Sequence, residues 1–188
     1  MSTFGRLDAA FNNATDGPLP APLADIDPAD FDRGIRTNVR GTFLGMKYQI
    51  PAMLRSGGGA IVNMASRAGL SGVSNLAAYV AGKAGIIGLT KVAALDYADQ
   101  GIRVNVVAPG PILTHHLEKA GEEAQRQTGL SVPMGRIGRT EEVAATVLWL
   151  CSNQASFITG ITVPIDGGQS AGVKPPRMYR QGQPMKSV

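Results

Sequence analysis

The sequence lacks the features that mark several other classes of protein. Its 188 residues contain a single cysteine, Cys151, which excludes an internal disulfide and is typical of a reducing compartment. The sequence has no run of about 20 apolar residues, and it does not begin with a positively charged segment followed by an apolar stretch. Neither a membrane-spanning helix nor a secretory leader is therefore predicted, and we expect a soluble, cytoplasmic protein.

The excess of positive charge is confined to one end of the chain. The net charge of +4 comes wholly from residues 173–188, where four basic side chains stand without an acidic one. The remainder is balanced, with no basic stripe or arginine cluster, so nucleic-acid binding has little support. With 44% apolar and 17% charged residues, the chain suits one globular domain. We predict a catalytic domain at 1–172 and a disordered basic tail at 173–188.

Apolar runs and helical patterns alternate along the chain. The apolar runs predict buried parallel strands at 60–65, 102–108 and 158–165, with a shorter strand at 8–14. Apolar residues at helical spacing predict helices at 28–54, 75–97 and 140–150. This alternation predicts an α/β fold with a parallel sheet.

The segments between these elements have distinctive compositions. The proline-rich stretch 16–27 predicts a loop, and the charged, glutamine-rich stretch 117–130 predicts a mobile lid helix. Glycine recurs every three residues within the predicted helix 75–97. Because each glycine costs a helix about 1 kcal/mol relative to alanine, we expect a smooth face that packs closely on the sheet or on another subunit.

The stretch from Ser66 to Lys83 carries the candidate chemistry. Ser66 follows the apolar run 60–65, so its hydroxyl is expected at the carboxyl end of a strand, where open α/β sheets bind ligands. Tyr79 and Lys83 are four residues apart in a helical segment, which places both on one face. A phenol that carries a proton, next to an ammonium that favours its phenolate form, suits acid–base chemistry on an oxygen.

These residues resemble the catalytic pattern of the short-chain dehydrogenase/reductase family. Ser66 with Tyr79-x-x-x-Lys83 matches that pattern in residue type and spacing, and the resemblance covers about residues 4–172. Four further signatures occur in the family's order: Asn12-Asn13-Ala14, Asn38-Val39-x-Gly41, Pro109-Gly110 and Asp166-Gly167-Gly168. A lone Y-x-x-x-K is a weak signal, but five signatures in order make a chance match improbable.

The resemblance implies reversible hydride transfer between NAD or NADP and a small-molecule alcohol or carbonyl substrate. Tyr79 would move the substrate proton, Lys83 would supply charge and hold the nicotinamide ribose, and Ser66 would hydrogen-bond the substrate oxygen. Asn38 would support a proton-relay water near the lysine. The resemblance also implies a set of cofactor-binding residues: Asn12, Ala14, Tyr79, Lys83, Pro109, Gly110, Ile112 and Thr114.

The chain departs from the family pattern at two places. Thr15 stands where the family's N-N-A-G turn has its glycine, and a side chain there could crowd a close backbone approach. The family's T-G-x-x-x-G-x-G turn is not found upstream of Asp8. We therefore expect an N-terminally truncated chain, the C-terminal portion of a doubly wound Rossmann fold that lacks the first βαβαβ part. Its cofactor site would be incomplete, and strand 8–14 would be a bare edge of the sheet. We expect the 188-residue chain alone to be marginally stable or self-associating.

Other functions remain open from the sequence. The chain could be a non-catalytic remnant or an oligomerisation module that pairs through its two long helices, and the family implies a homo-oligomer. A serine hydrolase using Ser66 with His115 or His116 is weak, because the G-x-S-x-G elbow is missing. No acid or cysteine stands at ligand spacing from the two histidines, so no metal is predicted, and we expect them to line the substrate entrance. The substrate and the choice between NAD and NADP are not determined.

Overall fold

A single parallel sheet organises the chain. The structure, a computed structural model, describes residues 3–173 and the backbone of 179–180 and 183–184, and it leaves out the side chain of His116. The four strands of the sheet are β1 (Ala9–Asn12), β2 (Gly59–Met64), β3 (Ile102–Pro109) and β4 (Thr162–Ile165). They lie in that order and pair in parallel throughout, which confirms the predicted α/β fold.

Helices connect successive strands. They are α1 (Pro28–Ile35), α2 (Gly41–Arg55), α3 (Ala77–Tyr97), α4 (His115–Lys119), α5 (Glu122–Leu130) and α6 (Thr140–Cys151). Asp27 caps α1, because its carboxylate accepts a hydrogen bond from the Ala29 amide at 2.7 Å. The predicted helix 28–54 is continuous in outline, but a π-helical segment, Arg36–Arg40, joins α1 to α2.

Alternating side chains of the central strands are buried on both faces of the sheet. Ile61 and Val104 face α2 and α3 on one side of the sheet, whereas Val62 and Val107 face α6 on the other. All four side chains are fully buried. The near-continuous apolar sequence of β2 and β3 follows from this burial on both faces.

Several boundaries differ from the predictions for local physical reasons. The predicted lid helix is replaced by two short helices, α4 and α5, because the chain turns at Gly121 with a φ of +88°. Helix α3 starts after Asn75, whose φ of +66° is incompatible with a right-handed helix. β4 is shorter than the predicted 158–165.

The glycine face of α3 packs on another helix rather than on the sheet. A Cβ at Gly82 would lie 2.9 Å from the Cβ of Asn38, and one at Gly85 would lie 2.9 Å from Val39. Gly88 has nothing within 4 Å of that position. The close approach that the glycine spacing predicted is therefore made to the π-helical segment.

The tail and the long apolar helix α3 each add one finding. In the tail, Tyr179–Arg180 and Gln183–Pro184 form a two-stranded antiparallel pair, and the rest of the predicted disordered tail lies outside the described residues. Within the described part, the stretch Ala77–Gln100 is long and apolar enough to cross a membrane. Because α3 packs on β3 and lies over the sheet, this length and composition also fit a core helix.

Candidate active site

Lys83 is the most deeply buried charged group that the structure describes. Its side chain is 1% exposed, and its Nζ donates a hydrogen bond to the Met64 carbonyl at 3.1 Å. Burial away from water lowers the pKa of Lys83 to about 8. The second long helix thus delivers an ammonium to the carboxyl end of β2.

Tyr79 lies over this ammonium. The Lys83 Nζ is 5.5 Å from the centre of the Tyr79 ring, as expected for residues one turn apart on α3. The ring is half-buried, and Gly17, in the proline-rich loop, lies against it: a Cβ there would be 3.8 Å from the Tyr79 Cβ and Cδ2. The loop 16–27 therefore lies next to the candidate proton donor.

Ser66 stands two residues beyond the carbonyl that Lys83 binds. Its Oγ accepts a hydrogen bond from the Ala68 amide at 3.2 Å and so caps the short 3-10 helix Arg67–Gly69. That helix lies directly on α3, because a Cβ at Gly69 would be 2.8 Å from the Lys83 backbone. The structure thus brings Ser66, Tyr79 and Lys83 to the same end of the sheet.

Asn38 lies under this group, in the π-helical segment, and is fully buried. Its Nδ2 donates to the Gly34 carbonyl at 2.9 Å and to the Asp16 carbonyl at 2.6 Å. Its Oδ1 accepts a hydrogen bond from the Thr15 hydroxyl at 2.9 Å. A π-helical turn within an α-helix is frequently found at a functional site, and here it places Asn38 against Gly82, next to Lys83.

Asn12, predicted to bind the cofactor, has its side chain engaged within the protein. Its Nδ2 donates to Asn63 at 2.8 Å and to Gln49 at 3.1 Å, and Gln49 donates back to the Asn12 Oδ1 at 2.8 Å. Asn63 in turn donates to Thr90 at 3.0 Å. This amide network ties β1 and β2 to α2 and α3. The neighbouring Ala14 is exposed beyond the end of β1.

The loop after β3 is held tightly at its start. Pro109 ends β3, and the Gly110 amide donates to the Ile165 carbonyl at 3.0 Å. Position 110 has no room for a side chain, because a Cβ there would lie 2.9 Å from Asp166. Ile112 then bridges to Gly138, and the exposed Thr114 precedes α4.

The Asp166-Gly-Gly turn leaves β4 beside Gly110. The Asp166 carboxylate accepts hydrogen bonds from the amides of Gly168 at 2.9 Å and Ser170 at 2.7 Å. Burial alone would raise the pKa of Asp166, but these hydrogen bonds outweigh it and lower the pKa below its ordinary value. A cavity of about 370 Å³ lies between this turn, the loop after β3 and the start of α6.

His115 and the described residues of α4 and α5 provide no metal centre. No group of three potential metal ligands occurs there. His115 is exposed, and its Nδ1 is 3.8 Å from Glu118 on the same helix.

Arg136 and Glu142 form an ion pair at 2.6 Å, C-terminal to α5. The hydrogen bond from Arg136, together with one from the Arg139 amide, lowers the pKa of Glu142 to about 2.

Comparison with known proteins identifies the family. A family model described as Enoyl-(Acyl carrier protein) reductase matches residues 1–170. Cyclohexanol dehydrogenase from an Acinetobacter species is 44% identical over 171 residues, which cover 91% of this chain and 67% of that protein. The 2,5-dichloro-2,5-cyclohexadiene-1,4-diol dehydrogenase of Sphingobium indicum is 44% identical over 175 residues, covering 91% of this chain and 70% of that protein.

A solved structure agrees with these relatives. ElxO with NADP bound has a TM-score of 0.87 at 40% identity and covers 91% of this chain and 70% of that one. The chain belongs to the short-chain dehydrogenase/reductase family. Several relatives are named as dehydrogenases or reductases of alcohols and ketones, so the prediction of an alcohol–ketone oxidoreductase of the short-chain dehydrogenase/reductase type is confirmed.

Three contacts of the candidate site residues were not predicted from the sequence. The Met64 carbonyl, Thr15 and Gly17 each contact one of the candidate side chains. Thr15 had a signal, since it departs from the family's glycine. The other two had none, because a backbone carbonyl and a glycine in a loop have no recognisable pattern in sequence.

Proposed function

We propose that this short-chain dehydrogenase/reductase transfers hydride reversibly between NAD or NADP and the carbon of a small alcohol or ketone, with Tyr79 as the group that moves the proton. The observation that carries the proposal is the buried ammonium of Lys83, 5.5 Å from the Tyr79 ring and bonded at the exit of β2. The dehydrogenase names of the relatives and the NADP bound to a structural neighbour support it.

Each residue of the site has a separate part in the proposed reaction. In the oxidative direction, Tyr79 takes the proton of the substrate hydroxyl, and in the reductive direction it returns a proton to the substrate oxygen. Lys83 stabilises the phenolate by its charge. Ser66 donates a hydrogen bond to the substrate oxygen, and Asn38 supports the path by which the proton reaches solvent.

The residues present fit the nicotinamide-ribose end of the cofactor. Among the described residues, the Lys83 ammonium makes one hydrogen bond, to the Met64 carbonyl, which leaves donors for ribose hydroxyls. Ile112 would meet the carboxamide, and the exposed Thr114 would meet a phosphate or amide, beyond Pro109 and Gly110. When bound, the nicotinamide supplies or accepts the hydride. The family's glycine-rich phosphate turn is not among the 188 residues.

A second candidate function has its own observation. Apolar side chains on the outer faces of α2 and α3 are exposed, with Phe43 at 45%, Val92 at 56% and Leu95 at 82%, and a groove of about 290 Å³ runs between the helices. This surface suits association with another copy, as a homo-oligomer or as a non-catalytic module.

We also propose a cytoplasmic location, because a chain with a single cysteine suits a reducing compartment.

A nucleotide titration followed by a kinetic comparison tests the proposal. NADH or NADPH should raise the melting temperature saturably, and turnover should be measurable with a panel that includes cyclohexanol and cyclohexanone, chosen from the names of the relatives. Tyr79→Phe should lower kcat by about 10²- to 10⁴-fold, the usual contribution of a proton-transfer group, with nucleotide binding retained.

Two other outcomes are informative. Near-normal turnover in Tyr79→Phe would remove Tyr79 from the proposed role. If the wild-type chain shows neither a nucleotide-dependent shift nor turnover, the non-catalytic module is favoured.

A further inference from the structure

Thr15, Asp16 and Gly17 form a short strap between the buried Asn38 and the Tyr79 ring. Thr15 donates its hydroxyl hydrogen bond to the Asn38 Oδ1 at 2.9 Å, and the Asp16 carbonyl accepts from the Asn38 Nδ2 at 2.6 Å. Gly17, the next residue, lies on the Tyr79 ring. Both ends of the Asn38 amide therefore hold the backbone that lies beside the Tyr79 side chain.

The Thr15 hydroxyl donates the hydrogen bond that the buried Asn38 Oδ1 requires. Asn38 is fully buried, and the hydrogen bond from Thr15 is the one that reaches its Oδ1 in the described structure. A buried carbonyl oxygen without a donor is strongly disfavoured. Glycine, the residue that the family pattern places here, has no hydroxyl to offer, so this contact depends on the threonine of this chain.

Contacts on the exposed side of the loop also hold the strap. The Arg33 Nε lies 3.3 Å from the Asp16 carboxylate, and the Gly17 amide donates to that carboxylate at 2.8 Å. Further along the loop, the Ala21 amide donates to the Asn75 carbonyl at 3.0 Å. The outer contacts are exposed and replaceable by water, whereas the Thr15–Asn38 bond ends on a fully buried side chain.

We propose that Thr15 is a positioning residue for the reaction: through Asn38 it holds the strap against Tyr79 and so restricts the phenol to its working orientation over Lys83. This inference rests on the proposed function for its catalytic meaning. The contact between strap and ring is a property of the chain itself, and it is measurable without turnover.

Nitration of tyrosine by tetranitromethane, followed by peptide mass spectrometry, reports directly on access to Tyr79. Thr15→Val keeps the shape of threonine without its hydroxyl, and Thr15→Ser restores the hydroxyl. We expect Thr15→Val to raise the nitration rate of Tyr79 about fivefold, the shift in an opening equilibrium that loss of one buried hydrogen bond gives, and Thr15→Ser to behave as wild type. Tyr48, which is 69% exposed, serves as the internal control whose rate stays unchanged.

Hydrogen exchange and kinetics complete the test. Amide exchange at 15–20 should quicken in Thr15→Val, and kcat should fall more than KM changes, with rescue by Thr15→Ser. A nitration rate at Tyr79 equal to wild type in Thr15→Val would overturn the positioning role, whatever the stability of the variant. Failure of the proposed function itself would be seen separately, as unchanged turnover in Tyr79→Phe.

Discussion

At the scale of single residues, the burial of Lys83 opposes the positive charge that the proposed reaction uses. Its ammonium is 1% exposed and has one carbonyl as a hydrogen-bond partner in the described structure. The folded chain therefore disfavours the very charge that the proposed reaction uses. A site that keeps such a group at the expense of stability is a candidate functional site on physical grounds.

This opposition predicts the pH dependence of stability. The pKa of Lys83 is lowered from 10.5 to about 8 by burial, so between these pH values the unfolded chain binds more protons than the folded one. The free energy of unfolding should therefore rise with pH across that window. Lys83→Met should be more stable than wild type at pH 7 by of order 2–3 kcal/mol, and the difference should shrink towards pH 10.5.

Urea unfolding of both proteins from pH 7 to 11 measures this difference. Groups other than Lys83 that titrate in this range cancel in the comparison, because they are common to both proteins. A difference between the two proteins that stays constant with pH would show that the ammonium is not destabilised by burial.

At the scale of elements, the contact between α3 and the π-helical segment sets the site. Gly82 and Gly85 let Asn38 and Val39 approach the helix axis, and Lys83 lies next to that contact. Glycine within a helix is unfavourable by itself. Its presence at these two positions is explained by the space that the opposing helix occupies.

Alanine substitutions along this face separate packing from helix propensity. Gly82→Ala places a Cβ 2.9 Å from Asn38 and should destabilise the fold by about 1–3 kcal/mol, as overpacking does. Gly88→Ala meets nothing within 4 Å and should stabilise it by about 0.5–1 kcal/mol. Thermal or urea unfolding checks both, and equal effects in the two variants would argue against the close packing.

Most of the helices and strands could be predicted from the sequence, because burial on two faces and helical spacing leave clear patterns. The bounds of β2, β3 and α6 lie within two residues of the predictions. The π-helical turn at Asn38 could not be predicted, since its residues have no helix-breaking signal. The division of the lid at Gly121 depends on one backbone conformation, which periodicity does not report.

At the scale of the whole molecule, the two edges of the sheet differ. β4 carries the exposed Pro164, which removes a backbone donor and blunts that edge. β1 has no proline and pairs on one side alone within the described structure, with Phe11 42% exposed. An apolar edge of this kind favours strand pairing between molecules.

The 188-residue chain should therefore self-associate through β1. Phe11→Lys, which adds a charge to the edge, should shift the protein towards monomer, whereas Leu95→Lys on the exposed face of α3 tests association through the helices. Sedimentation velocity over a range of concentrations distinguishes the two. A wild-type chain that is monomeric at all concentrations would contradict the prediction. If Leu95→Lys alone shifts the protein towards monomer, association is assigned to the helices.

The sequence by itself determined the fold class and indicated the residue types of the candidate site, because hydrophobic period and the spacing of Ser66, Tyr79 and Lys83 depend on local geometry. The tertiary structure alone decided which partners those residues have. It turned the Asn12 amide towards Gln49 and Asn63, placed Thr15 on Asn38, and laid Gly17 on Tyr79. Such contacts join residues far apart in the chain, and buried polar groups select them only after the core has brought the elements together.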